Sequence, residues 1–491
     1  TTTSPISLKR RRAVVSLPMK PSAPSQWNQP SAGRTGGRNI GRAWTSQSTD
    51  TLVAAWGWIP LLLVVGLLVL FTLGRQFGPE RWRVAACALL LADLYAYGAV
   101  LDRTYNTAVP INEVTAATRS EKFLAQDSSL YRIYTKEEIM PALSVMRESQ
   151  YPDMGMGRNL QSANIYMPLI PSAYGAYLQA LNAGRLDRLN AKYYLIPQLL
   201  PVDEASELYD VQNPFSALPV NNWIDIPPQE VAGLEVESYL SHAADLSNGE
   251  LAAEVLLAND TGQTMGLPLR AGIETAEWAY ERSDVRANIA HSTPEVATTW
   301  PARSGFPPED HPGHTYMARF TPDKPLRVTK IMIRLYRPEA FVRIEKVRLQ
   351  TPSGEEHLLS HLLGLGDYSI VYRSEDVLIY RNEDVFPRAY AIPATSVTTT
   401  GDSLSLPDSL TVHDITPVQI EQYADTTVHL QVNLPSAGYV ILSDLYYPGW
   451  EAEIDGVHTP ILAVDGVFRA VAVQAGIHEI TYTYHPWRLG H

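Results

Sequence analysis

The sequence predicts a mainly β protein with a helical transmembrane hairpin, in which a mixed α/β juxtamembrane segment precedes two antiparallel, jelly-roll-like β-sandwiches. Four observations support this prediction. Two long apolar runs lie near the N-terminus, and segments of alternating apolar and polar residues fill the C-terminal half. The 36 prolines and 26 tyrosines suit many short strands joined by Pro-rich turns. With 491 residues, the chain is too long for one ordinary domain.

Residues 1–50 are rich in Ser, Thr, Pro, Gly and Arg and have almost no apolar periodicity. Such a segment cannot bury enough apolar surface to offset the entropy that it loses on ordering, so we expect a disordered basic tail. The chain begins with Thr and stops abruptly after a strand-like segment. We therefore expect a fragment that is cut at both ends.

Residues 51–101 contain the two apolar runs. Leu52 to Leu73 has 22 residues without a charge, enough for a helix of about 33 Å that crosses a bilayer. Val84 to Leu101 is a second run, which is interrupted by Asp93. We predict a transmembrane helical hairpin here. An acid inside a span is a functional candidate, and the alternative is that Asp93 lies near the interface or bonds a neighbouring helix.

The remaining 390 residues divide into three predicted regions. Residues 102–232 are a mixed α/β juxtamembrane region with a helix predicted over 172–189 and a strand over 191–197. Residues 233–390 form a β-sandwich, with alternation clearest at Ile331, Ile333 and Leu335. Residues 391–487 form a small C-terminal β-sandwich, where Asp455-Gly456 marks a hairpin turn.

Charge and cysteine content exclude several classes of protein. Residues 1–101 hold 11 basic and 3 acidic residues, whereas residues 102–491 hold 28 basic and 49 acidic residues. An acidic body of this kind repels phosphates, so we expect no nucleic-acid partner. The single cysteine, Cys87, allows no intrachain disulfide and no thiolate zinc site. We expect no cofactor and no bound metal.

Several motifs resemble the YfhO family of bacterial membrane proteins, which are similar to GT-C glycosyltransferases. The strongest runs from Leu442 through Asp444, Tyr446-Tyr447-Pro448-Gly449-Trp450 and Asp455-Gly456, and it continues at Phe468-Arg469-Ala470-Val471. Tyr166-Met167-Pro168-Leu169 and Phe386-Pro387-Arg388 also resemble family segments. The resemblance covers about residues 75–489.

The resemblance implies that the large soluble region lies outside the cytoplasm of a bacterium, next to the cytoplasmic membrane. It further implies that the intact protein transfers a sugar from a polyprenyl-linked donor. The family's acidic catalytic residues lie in an early loop that nothing in this chain matches, so no catalytic residue is assigned. The expected partners are membrane lipid and an envelope glycan or polyprenyl-linked sugar.

Aromatic residues of the first sandwich are the predicted glycan-binding site. Rings of this kind pack against the C–H faces of sugars, while acids and arginines bond the hydroxyl groups. The alternative for the rings is packing within the fold. The predicted residues are Trp278, Tyr280, Trp300, Tyr316, Glu277, Arg282 and Arg303.

Two other clusters have a structural explanation from sequence. Glu309 to His314, with His291, gathers potential metal ligands, but we favour a solvated loop because zinc sites usually combine a second ordered pair. The rings around Pro448-Gly449 are interpreted as packing that staples the second sandwich.

Two functional hypotheses follow. The first is the portion of a GT-C-like envelope glycosyltransferase that positions or recognises a glycan acceptor and is not catalytic alone. The second is a stand-alone, membrane-anchored, non-catalytic carbohydrate- or protein-binding module. An upstream reading frame with many further spans would favour the first hypothesis, and a start codon near residue 1 would favour the second. A soluble hydrolase is a third, disfavoured class.

Overall fold

The structure is a computed structural model that describes residues 115–486 except 137–142, 152–153, 156–157, 165–169, 199–206, 209–217, 220 and 338–339, together with scattered positions between 65 and 95. The chain divides into two compact units, Thr1–Thr115 and Ala116–His491. The predicted disordered tail, residues 1–50, and Asp93 lie outside the described residues.

The described positions between 65 and 95 in the first unit are helical. Among the residues that the structure describes, no helix combines the length and the apolar composition needed to cross a bilayer. The helical transmembrane hairpin predicted for residues 51–101 is therefore wrong. That prediction rests on apolar length, whereas a crossing segment also needs an unbroken helix that satisfies its backbone groups.

The second unit is mainly β. Its described helices, numbered in chain order, are α1 (Arg119–Leu124), α2 (Leu143–Glu148), α3 (Ser172–Gln179), α4 (Ala183–Arg188), α5 (Ser283–Asn288) and α6 (Leu359–Leu362). The described strands are β1 (Arg132–Thr135), β2 (Gln161–Ser162), β3 (Ala191–Pro197), β4 (Glu207–Leu208), β5 (Leu218–Pro219), β6 (Ile224–Val231), β7 (Gly233–Tyr239), β8 (Leu251–Ala258), β9 (Thr264–Arg270), β10 (Val296–Ser304), β11 (Glu309–Phe320), β12 (Leu326–Leu335), β13 (Arg343–Gln350), β14 (Glu356–Leu358), β15 (Tyr368–Arg373), β16 (Val377–Asn382), β17 (Ala389–Pro393), β18 (Thr398–Thr400), β19 (Ser403–Ser405), β20 (Thr416–Pro417), β21 (Gln419–Ala424), β22 (Thr427–Leu434), β23 (Gly438–Leu445), β24 (Trp450–Ile454), β25 (Val457–Thr459), β26 (Leu462–Val464), β27 (Phe468–Val473) and β28 (Gly476–Tyr484).

Two sheets pack together in the first half of this unit. One is a four-stranded antiparallel sheet in the order β6-β12-β8-β9. The other is a ten-stranded sheet, which contributes β13, β7 and β11 to this packing. Their shared core contains Val236, Val255, Ile331, Ile333 and Leu349, all buried. Burying one side chain of this size stabilises the fold by about 1.5–3 kcal/mol.

The ten-stranded sheet extends beyond this core in the order β14-β13-β7-β11-β10-β15-β16-β3-β1-β2. β10 and β15 meet in a parallel pairing at Ala302 and Arg373, and β1 runs parallel to both β2 and β3. The sheet therefore takes strands from the region predicted as mixed α/β and from the region predicted as the first sandwich.

The C-terminal sandwich packs a seven-stranded sheet, β18-β19-β26-β27-β23-β17-β20, on a five-stranded sheet, β21-β22-β28-β24-β25. Successive side chains of β23 point to opposite faces of the seven-stranded sheet, and both faces are packed. Val440 and Leu442 enter the core shared with the five-stranded sheet. Ile441, between them, belongs to the cluster on the opposite face, together with Tyr174 and Tyr177 of α3.

Candidate functional site

Three of the four predicted glycan-binding rings of the first sandwich lie in a buried cluster. Trp278, Trp300 and Tyr316 are 4%, 1% and 0% exposed, and the two indole rings stack with centroids 6.4 Å apart. The guanidinium of Arg373 lies 4.3 Å from the Trp278 ring centroid. Buried rings present no face to a sugar in solvent, so their placement favours the packing alternative.

The other predicted residues of this site have partners inside the fold. The Tyr280 hydroxyl donates to a backbone carbonyl at 3.2 Å, and the buried Glu277 carboxylate accepts from a backbone amide at 2.8 Å. Arg282 and Arg303 each pair with an aspartate, at 2.6 and 3.2 Å. Arg303 and Trp300 also line a depression of about 460 Å³. The structure thus brings two of the seven predicted residues to one surface feature.

The predicted solvated loop at Glu309 to His314 is instead the first half of β11. Its two histidines have separate partners: His311 Nε2 lies 2.8 Å from the Ser304 hydroxyl, and His314 Nδ1 lies 3.0 Å from the Thr299 hydroxyl. His291 faces a backbone carbonyl at 3.0 Å. Within the described ranges, no three His, Cys, Asp or Glu side chains are grouped so that they could hold a metal ion.

A groove of about 290 Å³ lies in the C-terminal sandwich, beside the Tyr-Tyr-Pro-Gly-Trp motif. Its wall includes Tyr446, Tyr447, Trp450, Glu451, His458 and Arg469. Tyr446 and Tyr447 are 45% and 43% exposed, so they do not staple the sandwich as the sequence interpretation holds. Trp450 does pack against the core between the two sheets. The groove therefore combines two exposed rings with one anchored ring.

Backbone contacts fix the loop that carries the two tyrosines. The Tyr446 amide donates to the Val467 carbonyl at 2.6 Å, and the Gly449 carbonyl accepts from the His485 amide at 2.7 Å. Gly449 has a φ of +96°, and a Cβ there would lie 2.9 Å from the Tyr484 ring. Glycine alone fits this conformation and this contact without strain. The rings are thus presented by a loop with a defined conformation.

Arg469 of β27 forms part of the groove wall. Its guanidinium carbon lies 3.8 Å from the Trp450 ring centroid and 5.3 Å from the Tyr482 ring centroid. Its Nη2 donates to Asp444 Oδ2 at 3.1 Å. Its Nε and Nη1 are buried and have no acceptor among the described residues. The stacking and the ion pair hold the guanidinium in place.

Asp444 is the acceptor for three arginines behind the groove. Asp444 lies where the register of β23 shifts, between Leu442 and Leu445. Arg132 Nη2, Arg388 Nη1 and Arg469 Nη2 donate to its carboxylate at 2.7, 3.3 and 3.1 Å. The Tyr423 hydroxyl donates to Oδ2 at 2.9 Å. The four donors come from four separate regions of the chain.

The cluster around Asp444 carries surplus positive charge. Burial alone would raise the pKa of Asp444, but the three guanidinium groups outweigh burial and hold that pKa below its usual value. Burial lowers the pKa of Arg469, and burial with the nearby Arg132 lowers the pKa of Arg388 to about 10. Arginine side chains in proteins are cations at neutral pH. One carboxylate therefore faces three cations.

The segment that matches a known protein family includes this groove. Residues 399–490 match a family described as "Bacterial membrane protein YfhO", and the matched segment contains Asp444 and every residue that lines the groove. This match confirms the resemblance seen in the sequence for the C-terminal portion of the chain. Arg132 and Arg388 lie outside the matched segment.

Solved structures give a weaker comparison. The chain is similar to a cryo-EM structure of the arabinofuranosyltransferase AftD from Mycobacteria at 12% identity, with a TM-score of 0.14 and coverage of 60% of this chain and 29% of that chain. A structure of a mutant of the same protein matches at 10% identity, with the same TM-score and coverage of 60% and 27%. The chain thus spans less than a third of these proteins. No curated protein sequence matches it.

Sequence reasoning missed the Asp444 cluster as a site, although two of its members stand in the quoted family motif. Asp444 and Arg469 each interrupt an apolar strand, Gly438–Leu445 and Phe468–Val473. Charged residues inside buried strands are rare unless they are paired. The position of these two charges within apolar strands is the signal that could have identified the cluster. Nothing comparable in the local sequence marks Arg132.

Proposed function

We propose that the chain is the non-catalytic, glycan-recognising portion of a larger GT-C-like protein of the bacterial cell envelope, with its β-sandwiches outside the cytoplasm. In this proposal the intact protein transfers sugar from a polyprenyl-linked donor, and the groove beside the Tyr-Tyr-Pro-Gly-Trp motif positions the acceptor glycan. The match of residues 399–490 to a bacterial membrane protein family supports this assignment.

The observation that carries the proposal is the composition of the groove. Tyr446 and Tyr447 expose ring faces that can pack against the C–H faces of a sugar. Glu451 and His458 line the same groove and can exchange hydrogen bonds with hydroxyl groups. A few polar groups placed among aromatic walls are typical of small-molecule sites.

The test uses the full 491-residue chain on an array of bacterial envelope polysaccharides. We expect binding by the wild type and at least a tenfold loss in Tyr447→Ala, because the substitution removes one ring face. Tyr336→Ala is the matched control, since Tyr336 directly follows β12, is not among the residues that line the groove and is also 43% exposed. Absence of binding to every envelope glycan, or an equal loss in the control, would overturn the proposal.

A further inference from the structure

The charges of the Asp444 cluster do not balance. The side chains of Arg388 and Arg469 are 1% and 3% exposed, that of Arg132 is 14% exposed, and that of Asp444 is 11% exposed. The further acceptors of Arg132 and Arg388 are backbone carbonyls and the side chain of Gln161, all of which are neutral. In the part of the chain that the structure describes, no second carboxylate pairs with these arginines. Two positive charges therefore remain uncompensated in a buried place.

Arg469 also has unused hydrogen-bonding capacity. Its Nη2 is bonded to Asp444, whereas its Nε and Nη1 are buried and lack an acceptor within the described residues. Buried polar groups in folded proteins almost always have partners, and a charged donor without one costs more than a neutral donor. Arg469 is one of the residues that line the groove, so the unused donors belong to a side chain of the groove wall.

We propose that the groove binds a saccharide through an anionic group, a phosphate or a carboxylate, and that Arg469 selects this group. The inference rests on the proposed glycan-binding function and names the class of glycan, an acidic or phosphorylated sugar. The anion supplies the acceptor that Arg469 lacks and compensates the surplus charge. Tyr446 and Tyr447 contact the sugar ring, and Trp450 holds the guanidinium over the face of its own ring.

Glu451 allows a second test of the proposal that does not change Arg469. It lines the same groove and its side chain is 34% exposed, with His485 at 3.7 Å. Its negative charge opposes an anion in the groove but has little effect on a neutral sugar. Removing that charge should therefore strengthen the binding of charged ligands alone.

The experiment is calorimetric titration of the full chain with four probes at low salt: glucose, glucuronate, glucose 1-phosphate and inorganic phosphate. Glucose, glucuronate and glucose 1-phosphate share one sugar ring, so differences among them report the anionic group. We expect at least one charged sugar to bind tenfold or more tightly than glucose. Preference for glucuronate assigns the anion to a sugar acid, and preference for glucose 1-phosphate assigns it to a phosphate.

Two variants locate the effect. Arg469→Gln should reduce the preference for the charged sugar over glucose, measured as the ratio of the two affinities, at least tenfold. This substitution also removes a partner of Asp444. The thermal unfolding curve of the variant therefore shows whether it is folded. Glu451→Gln keeps the Asp444 cluster intact. It should tighten binding of the charged sugar about threefold, because it removes one repulsive charge from the groove wall. Unchanged or weaker binding in Glu451→Gln would contradict the inference.

The outcomes separate this inference from the proposed function. Equal affinity for glucose and both charged sugars would overturn the anionic group and leave glycan recognition standing. Binding of inorganic phosphate that depends on Arg469, with no sugar bound, would support the anion site and overturn glycan recognition. Absence of binding by all four probes would overturn the anion site, and the polysaccharide array then decides the proposed function separately.

Discussion

Arg132 on β1 and Asp444 on β23 form an ion pair at 2.7 Å across 312 residues of sequence. Arg132 also donates from Nη1 to the backbone carbonyls of Ser443 and Leu189, at 2.7 and 2.8 Å. One guanidinium thus joins the ten-stranded sheet to the C-terminal sandwich at the residue that also holds Arg469. The groove is therefore supported by a part of the chain that lies outside the family-matched segment.

Substitution of Asp444 by Asn should strongly destabilise the protein. The change leaves three buried guanidinium groups without their carboxylate, and removing one partner of a buried pair costs about 3–5 kcal/mol. Urea unfolding followed by tryptophan fluorescence measures the loss. Asp225→Asn is the control, because Asp225 is 85% exposed and its pair with Lys330 at 3.6 Å should contribute less than about 1 kcal/mol. Similar losses in the two variants would contradict the role given to Asp444.

Gly449→Ala should disturb the loop that presents the tyrosines. The new Cβ would lie 2.9 Å from the Tyr484 ring and 3.0 Å from the His485 carbonyl, at a φ of +96°. We expect a loss of about 1–3 kcal/mol from the strained backbone, together with weaker glycan binding. Gly456→Ala provides the comparison, because its φ is +76° but no atom lies within 4 Å of the added Cβ. The prediction fails if the two variants have the same unfolding midpoint and the same glycan affinity.

Stability should fall between about pH 4 and 8 because of Asp187. Burial raises the pKa of Asp187 from 3.8 to about 8. The hydrogen bond from Asn382 lowers this pKa, whereas the negative charge of the nearby Asp384 raises it. In this range the native carboxyl keeps a proton that the unfolded chain has lost. The free energy of unfolding therefore decreases with rising pH, by at most about 1.4 kcal/mol per unit.

The variant Asp187→Asn isolates this contribution. It keeps an acceptor for Asn382 but cannot titrate, so its unfolding free energy should fall less between pH 5 and 7 than that of the wild type. The raised pKa of His361, which pairs with Asp384, makes stability fall in the same direction and is present in both proteins. Equal slopes from urea unfolding at the two pH values would exclude a protonated Asp187.

Trp300→Ala should cost stability and leave glycan binding unchanged. The Trp300 ring is 1% exposed and packs on Trp278, so its removal should lower the free energy of unfolding by about 3–5 kcal/mol. Arg303 lines the same depression as Trp300. Arg303→Ala should lower the free energy of unfolding by less than about 1 kcal/mol, because its ion pairs with Asp310 and Glu375 are solvent-accessible. A selective loss of binding to the polysaccharide array in Trp300→Ala would instead support the glycan site predicted in the first sandwich.

The strands of the C-terminal half follow from sequence alone. Alternation at Val428, Leu430 and Val432 predicts a half-buried strand, and the structure has β22 there with these three side chains buried. Asp455-Gly456 predicts a hairpin turn, and both residues have positive φ between β24 and β25. These signals are local, because side-chain period and turn chemistry act over a few residues.

Other features needed contacts that no local pattern encodes. The single helix predicted over 172–189 is two helices, because the Asn182 side chain accepts from the Arg185 amide at 2.9 Å and starts α4 anew. The aromatic residues of the first sandwich were identified by type, but only packing decides whether a ring is buried or faces solvent. The same holds for Tyr446 and Tyr447, which the motif alone leaves ambiguous.

The amino-acid sequence by itself determined the β-rich character of the C-terminal half, the turn of its clearest hairpin and the family motif of residues 442–471. Tertiary structure alone decided which charges meet. Arg132, Arg388, Asp444 and Arg469 are spread over more than 300 residues and become neighbours only when the sheets pack. The physical reason is that electrostatic pairing depends on distance in space and on burial, whereas sequence periodicity reports only which face of an element is apolar.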